Sequence, residues 1–322
     1  MATALHSMPE TTALPAADSE RRQGIWLSVA AYTLWGAFPI YFKALHAPPL
    51  EVLADRVAWS ALFLVAIAAV QGWLPRLYAR VRSPRVLLGS FLSAGLLAVN
   101  WFVYIWAVAH ERVVDASLGY FITPLVSVSL GVLFFREALR PAQRLAIVTA
   151  TLGVVWLTLQ FGQLPWVGLT LAASFGSYAA LRKQAKLDAF EGLLLEQVLM
   201  LPFAAAYLGW LGAQGQSWFQ LGSGGQTALL ILTGPLSAVP LLMFAAGARR
   251  IPLSLVGVLQ YISPTLQLLS GVLLWHEPFG GKKLIGYALI WLALVVYTLE
   301  GAWAAKLRRR ERAAAALAGG QR

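Results

Sequence analysis

The sequence predicts an all-α membrane protein of ten transmembrane helices, built as two inverted five-helix repeats. Three observations carry that expectation. Of 322 residues, 59% are hydrophobic and 12% charged, where a soluble domain carries about 25% charged residues. The apolar residues collect into ten blocks, near 24–45, 51–72, 86–109, 114–135, 142–160, 165–182, 190–211, 226–248, 253–275 and 283–304. Finally, an offset of 140 residues lays Trp26 on Trp166, Gly36 on Gly176, Lys43 on Lys183, Glu51 on Glu191, Pro124 on Pro264, Gly131 on Gly271 and Glu137 on Glu277.

Each block has the length of a membrane span. The hydrocarbon core is about 30 Å thick and a helix rises about 1.5 Å per residue, so about 20 apolar residues cross it. Lipid offers no partner for backbone N–H and C=O groups, which favours helices. Continuous runs, rather than alternating segments of about ten residues, argue against an outer-membrane barrel.

In chain order, residues 1–23 are rich in Ala, Thr, Ser and Pro, with no apolar run before Arg21 and Arg22. They read as a disordered cytoplasmic tail and not a cleaved signal peptide. Residues 24–160 hold the first five spans and 164–304 the second five. Residues 305–322 form a basic, Ala-rich cytoplasmic tail with the composition of a short surface helix.

Five is odd, so the second half enters the membrane from the opposite side and the halves are related by a pseudo-two-fold axis in its plane. Such a duplication suits alternating access; the plainer reading is a duplication that only builds a stable bundle. Spans four and nine carry Tyr120-Phe121-Ile122-Thr123-Pro124 and Gln260-Tyr261-Ile262-Ser263-Pro264, with Gly131 and Gly271 following. A mid-span proline removes a backbone hydrogen bond, which makes Pro124, Gly131, Pro264 and Gly271 candidate hinges. Thr123 and Ser263 stand ready to satisfy the freed carbonyls. Pro and Gly are also ordinary in membrane helices.

The formal net charge of +11 follows the membrane and not a nucleic acid. With the N-terminus in the cytoplasm, 20 of the 25 Lys and Arg fall on the inner side; Lys43, Arg112, Lys282 and Lys283 fall outside, and Arg56 lies within span two. That is the positive-inside bias, expected for the bacterial inner membrane with both termini cytoplasmic. The chain has no Cys, which excludes disulfides and thiol chemistry. The four His lack ligand spacing, so no metal, cofactor or catalytic residue is expected, and the chain does not read as an enzyme. Gly222-Ser223-Gly224-Gly225 lacks the lysine of a phosphate-binding loop, which argues against a primary pump.

The segments Asn100-Trp101, Ile105-Trp106-Ala107-Val108, Asp115 through Leu125, and Gln260 through Thr265 resemble the RarD proteins. Those form an EamA-type family of the drug/metabolite transporter superfamily, and the likeness runs from about residue 24 to 304. It implies a ten-helix inner-membrane permease associated with chloramphenicol phenotypes. Relatives in the superfamily export amino acids, other metabolites or drugs without ATP hydrolysis. Asp55-Arg56 stands where the family reads His-Arg, Asp115 where it reads Glu, and Thr123 where it reads Asn.

Ionisable groups inside a membrane cost about 2.5–3.5 kcal/mol each and are candidates for function. Glu196 reads as a proton-coupling acid or as an acid bonded to a neighbour such as Gln197. Arg56 reads as a charge with a functional role or as an anchor that snorkels outward. Asp115 reads as a second acidic candidate or as a helix cap. Glu137 and Glu277 read as interfacial. Candidate substrate-lining residues are Trp35, Asn100, Trp101, Tyr104, Tyr120, Gln260, Tyr261 and Gln267, aromatic and amide groups suited to a small, partly aromatic molecule. The expected function is export of small metabolites or drugs such as amino acids or chloramphenicol by alternating access, with proton coupling; a channel or a membrane scaffold is the alternative. The expected partners are substrate, H+ and membrane lipid.

Overall fold

The computed structural model describes residues 13–75, 78, 83–135, 140–184, 187–248, 250–251, 255–256 and 259–319, and among these every regular element is a helix. Ten long helices follow in order: α1 Ala13–Lys43, α2 Pro49–Val70, α3 Pro84–Ala109, α4 Val113–Phe135, α5 Pro141–Phe161, α6 Trp166–Gln184, α7 Ala189–Ala213, α8 Gly224–Ala248, α9 Ile262–Leu274 and α10 Lys282–Gly319. A single turn, Trp218–Leu221, precedes α8. Glu137 and residues 1–12 of the predicted tail lie outside the described residues.

Local chemistry sets the ends. Prolines 49, 84 and 141 open α2, α3 and α5, where their missing N–H is no loss. Asp188 and Glu191 form a capping box on α7, and Gly162 closes α5 in the left-handed conformation, at φ 66°.

Seven of the described helices are long and apolar enough to cross a membrane, whereas Val113–Val126 and Ile262–Leu274 are shorter apolar stretches. Three other expectations change. Residues 13–23, assigned to the disordered tail, begin α1 as helix. The basic tail continues α10 to Gly319, and 38 residues at about 1.5 Å each give about 57 Å, well beyond a bilayer core. Pro264 is not mid-span: Gln260 and Tyr261 form a turn and α9 starts at Ile262, so Pro264 sits in a first turn that needs no donor there. Pro124 does sit inside α4, in the same helix as Gly131. The Thr123 hydroxyl donates to the Gly119 carbonyl at 2.9 Å, one residue before the carbonyl that Pro124 strands.

The main packing joins the first five helices to the last five. α1 packs on α8 and α9, and α6 packs on α3 and α4. α2 packs on α8, and α7 on α3. The remaining large contacts pair α2 with α7, α4 with α9 and α5 with α10. Exchanging each helix with the one five places on leaves this pattern unchanged. Two mixed bundles result, α1–α2–α8–α9 and α3–α4–α6–α7, with α5 and α10 lying against each other. Small residues allow close approach: a Cβ on Gly119 would lie 2.7 Å from the Gly168 carbonyl oxygen, and one on Gly153 would lie 2.9 Å from that of Gly286.

Candidate functional site

Arg56 sits where the two bundles meet. Its helix, α2, and α1 supply one wall, while α3 and α4 supply the other. The guanidinium carbon lies 3.7 Å from the centre of the Trp101 ring, 5.5 Å from that of Phe42 and 5.7 Å from that of Phe38. Tyr41, Tyr104 and Tyr120 are close enough to act on its charge. Arg56 is therefore buried in an aromatic box, and the alternative in which it snorkels outward is corrected. The reason is geometric: α1 and α3 cover the stem from both sides, and ring faces attract the cation.

The box has no acid in it. Among the described residues no carboxylate lies in salt-bridge range of Arg56, and its Nε lacks a hydrogen-bond partner. Asp55 is adjacent in sequence, but neighbours on a helix point apart; it interacts with Glu51 and Trp59 instead. The Tyr104 hydroxyl is likewise buried without a partner. The Tyr120 hydroxyl reaches Asn100 Oδ1 at 3.4 Å.

Glu196 occupies the corresponding place in the second half. It is wholly buried, accepts from Ser93 Oγ at 2.6 Å and Tyr178 OH at 3.2 Å, and faces Arg182 Nε at 3.9 Å. The expected partner Gln197 is corrected, since both its polar side-chain atoms are buried and unbonded. Neighbours in a helix again diverge. Adding 140 to Arg56, Phe38 and Phe42 gives Glu196, Tyr178 and Arg182, so two side chains of the preceding helix flank the buried charge in each half.

The other candidates divide. Asn100 ties α3 to α6, donating to the Leu171 carbonyl and to Ser174 Oγ, each at 3.1 Å. Gln267 ties α9 to α1 through the Trp35 carbonyl at 3.2 Å and also donates to Ser263 Oγ at 3.2 Å. Trp35 itself packs with Tyr32 and Phe244, its ring centres 5.5 Å and 5.8 Å from theirs. Tyr261 lies apart from the Arg56 box. It stacks on Phe121 and lines an apolar cavity of about 520 Å³ with Thr265, Leu268, Trp291 and Leu294, between α4, α9 and α10. Gln260 is half-buried in the turn beside it. Asn100, Trp101, Tyr104 and Tyr120 thus converge with Arg56, while Gln260 and Tyr261 do not. Sequence reasoning missed Phe38, Phe42, Ser93, Tyr178 and Arg182.

Asp115 pairs with Arg112 Nε at 3.0 Å and Lys283 Nζ at 3.3 Å. It belongs to a polar seal at the end of the bundle that carries the α1–α2, α3–α4, α7–α8 and α9–α10 connections. There Glu51 accepts from Ser217 Oγ at 3.0 Å and Trp218 N at 2.7 Å, and Gln226 donates to the Ala44 carbonyl at 3.0 Å. Glu277 caps α4 from the α9–α10 connection, accepting from Val113 N at 2.7 Å and Val114 N at 2.8 Å. Gly271, the last of the four candidate hinges, packs there, where a Cβ would lie 2.9 Å from Val114 Cγ2.

Burial pushes the Glu277 carboxyl above the usual carboxylate range, although the two N–H donors pull the other way. A raised native pKa means the group's stabilisation is complete below its unfolded value, about pH 4.3, and is lost as pH rises through the native value. Melting curves of wild type and Glu277→Gln across that window are expected to differ in slope, the wild type losing stability faster with pH. Parallel slopes would remove Glu277 as a titrating group.

Comparison with known proteins agrees with the fold. The model of the EamA-like transporter family matches residues 22–159. The uncharacterized transporter YojE of Bacillus subtilis is 41% identical, over 88% of this chain and 95% of its own. Protein RarD of Escherichia coli is 38% identical, over 87% and 95%. The chloramphenicol-sensitive protein RarD of Pseudomonas aeruginosa is 36% identical, over 90% and 97%. A crystal structure of a protein 21% identical matches with a TM-score of 0.52 over 86% of this chain and 96% of that one, a likeness in fold. The chain belongs to the RarD proteins of the EamA-like transporter family.

Proposed function

We propose that this transporter works by alternating access, as an inner-membrane secondary exporter of small metabolites or drugs with both termini in the cytoplasm. The observation that carries the reading is the pattern of the largest helix contacts, which is unchanged when the first five helices are exchanged with the last five. An inverted duplication has that property: if each half adopts the other's conformation, the opening moves to the other side. The moving parts are the two mixed bundles. Bonds such as Asn100 to Leu171 and Gln267 to Trp35 lie within a bundle and keep it rigid. Arg56 lies between bundles, at the place a substrate must pass. The described conformation is held shut at one end by Lys43 with Glu111 and by Glu277 with the start of α4; the positive-inside bias makes that the outer end.

Two further parts of the reading rest on family likeness and on Glu196. The relatives' names include a chloramphenicol-sensitive protein, which supports amphenicols alongside amino acids as substrates to screen. Glu196, buried with a cation and two hydroxyls around it, is the proton-coupling acid. Counterflow in proteoliposomes tests the function. Saturable uptake accelerated by substrate on the far side is expected; linear, unsaturable flux would make the protein a channel, and no flux for any solute a scaffold. In the same vesicles Glu196→Gln is expected to abolish acceleration by a pH gradient while leaving counterflow. Undiminished pH-driven flux would take the coupling role from Glu196.

A further inference from the structure

We infer that the Arg56 box is the recognition site for a carboxylate, so that the substrates of this transporter are monocarboxylates with an apolar or aromatic body. The inference rests on the transporter reading and adds the chemical class of the cargo. A cation within a membrane protein normally has a counter-ion or faces water. Arg56 has neither: it is 4% exposed and none of the described acids reaches it. The Trp101 ring centre lies 3.7 Å from the guanidinium carbon, and the N–H edge of the guanidinium carries an unbonded Nε. That planar edge matches a carboxylate through two parallel hydrogen bonds.

The surroundings select further. The unpartnered Tyr104 hydroxyl offers another donor beside the cation, whereas the Tyr120 hydroxyl already donates to Asn100 Oδ1. A single positive charge balances one negative charge, which favours a monocarboxylate over a doubly charged phosphate. Phe38, Phe42 and Trp101 supply apolar surface against the rest of the molecule. Tyr41, Trp101 and Tyr120 are only partly buried. Asp55 is turned toward Glu51 and Trp59, and none of the described acids lies in the box to hold an ammonium group.

The test is equilibrium binding to the purified full-length protein, which is independent of flux. The probes are alkyl and aryl monocarboxylates from acetate to 3-phenylpropanoate, each with its neutral amide, plus 3-phenylpropylamine, followed by thermal shift and titration calorimetry. The larger carboxylates are expected to bind at least tenfold tighter than their amides, and the amine not at all. Tyr104→Phe removes a hydroxyl that bonds nothing in the free protein, so it is expected to fold normally and weaken carboxylate binding about tenfold or more. Arg56→Lys keeps the charge but loses the paired edge and is expected to weaken binding similarly; Arg56→Gln is expected to erase the preference over amides. If no carboxylate outbinds its amide, or the preference survives in Arg56→Gln, the inference is overturned. Saturable counterflow alongside either result would leave the transporter reading standing and remove only the substrate class.

Discussion

Gly234→Leu is expected to prevent accumulation of a folded protein. Gly234 lies where α8 crosses α2, and a Cβ placed on it would sit 2.6 Å from the Trp59 carbonyl oxygen and 2.7 Å from Ser60 N. Both obstacles are backbone, so neither can swing aside as a side chain would. Overpacking a close-fitting core costs about 1–3 kcal/mol even where side chains can adjust. Here the helices must separate, breaking the Ser60 hydroxyl bond to the Gly234 carbonyl as well. The matched control is Gly209→Leu, since a Cβ at that exposed position meets nothing within 4 Å. Size-exclusion profiles of fluorescent fusions are expected to show a sharp peak for the control and aggregate for Gly234→Leu. A sharp peak for both would mean that α2 and α8 do not approach as closely as described.

Arg182→Met is expected to cost about 3 kcal/mol, and a second change, Glu196→Gln, to restore most of it. Removing one member of a buried pair strands the other charge, typically at about 3–5 kcal/mol; the lower figure applies because the Arg182 side chain keeps 17% exposure and the separation is 3.9 Å. Ser93 and Tyr178 still bond Glu196 in the single variant, but neutral hydroxyls do not balance its charge. Thermal unfolding of wild type, both single variants and the double variant measures the coupling. A double variant as unstable as Arg182→Met would show that Arg182 acts on something other than the Glu196 charge.

Much of the fold was legible because membrane spans are written in long apolar runs. The break before α9 was not: residues 253–275 read as one mainly apolar block, and average hydropathy does not register a turn at Gln260 and Tyr261. The proline in Ser263-Pro264 predicts a kink, although a proline in a helix's first turn carries the same letters. At the site, Asn100, Trp101, Tyr104 and Tyr120 stood out as polar or ring-bearing groups in apolar runs. Their convergence on Arg56 depends on how α2, α3 and α4 cross, which no local pattern encodes. The snorkelling expectation treated α2 alone, without the cover of α1 and α3. Carrying the 140-residue offset through the neighbours of Arg56 lands on Tyr178 and Arg182, which flank Glu196.

The same offset supplies the most direct test of the inverted architecture. Ser83 and Ser223 are related by 140 residues and stand just before α3 and α8, at opposite ends of the bundle. The chain has no native cysteine, so Ser83→Cys and Ser223→Cys each introduce one reporter. With a membrane-impermeant maleimide, Ser83→Cys is expected to react only in inside-out vesicles and Ser223→Cys only in right-side-out ones. Reaction of both from the same side would contradict the inversion, and with it the exchange of halves on which alternating access depends.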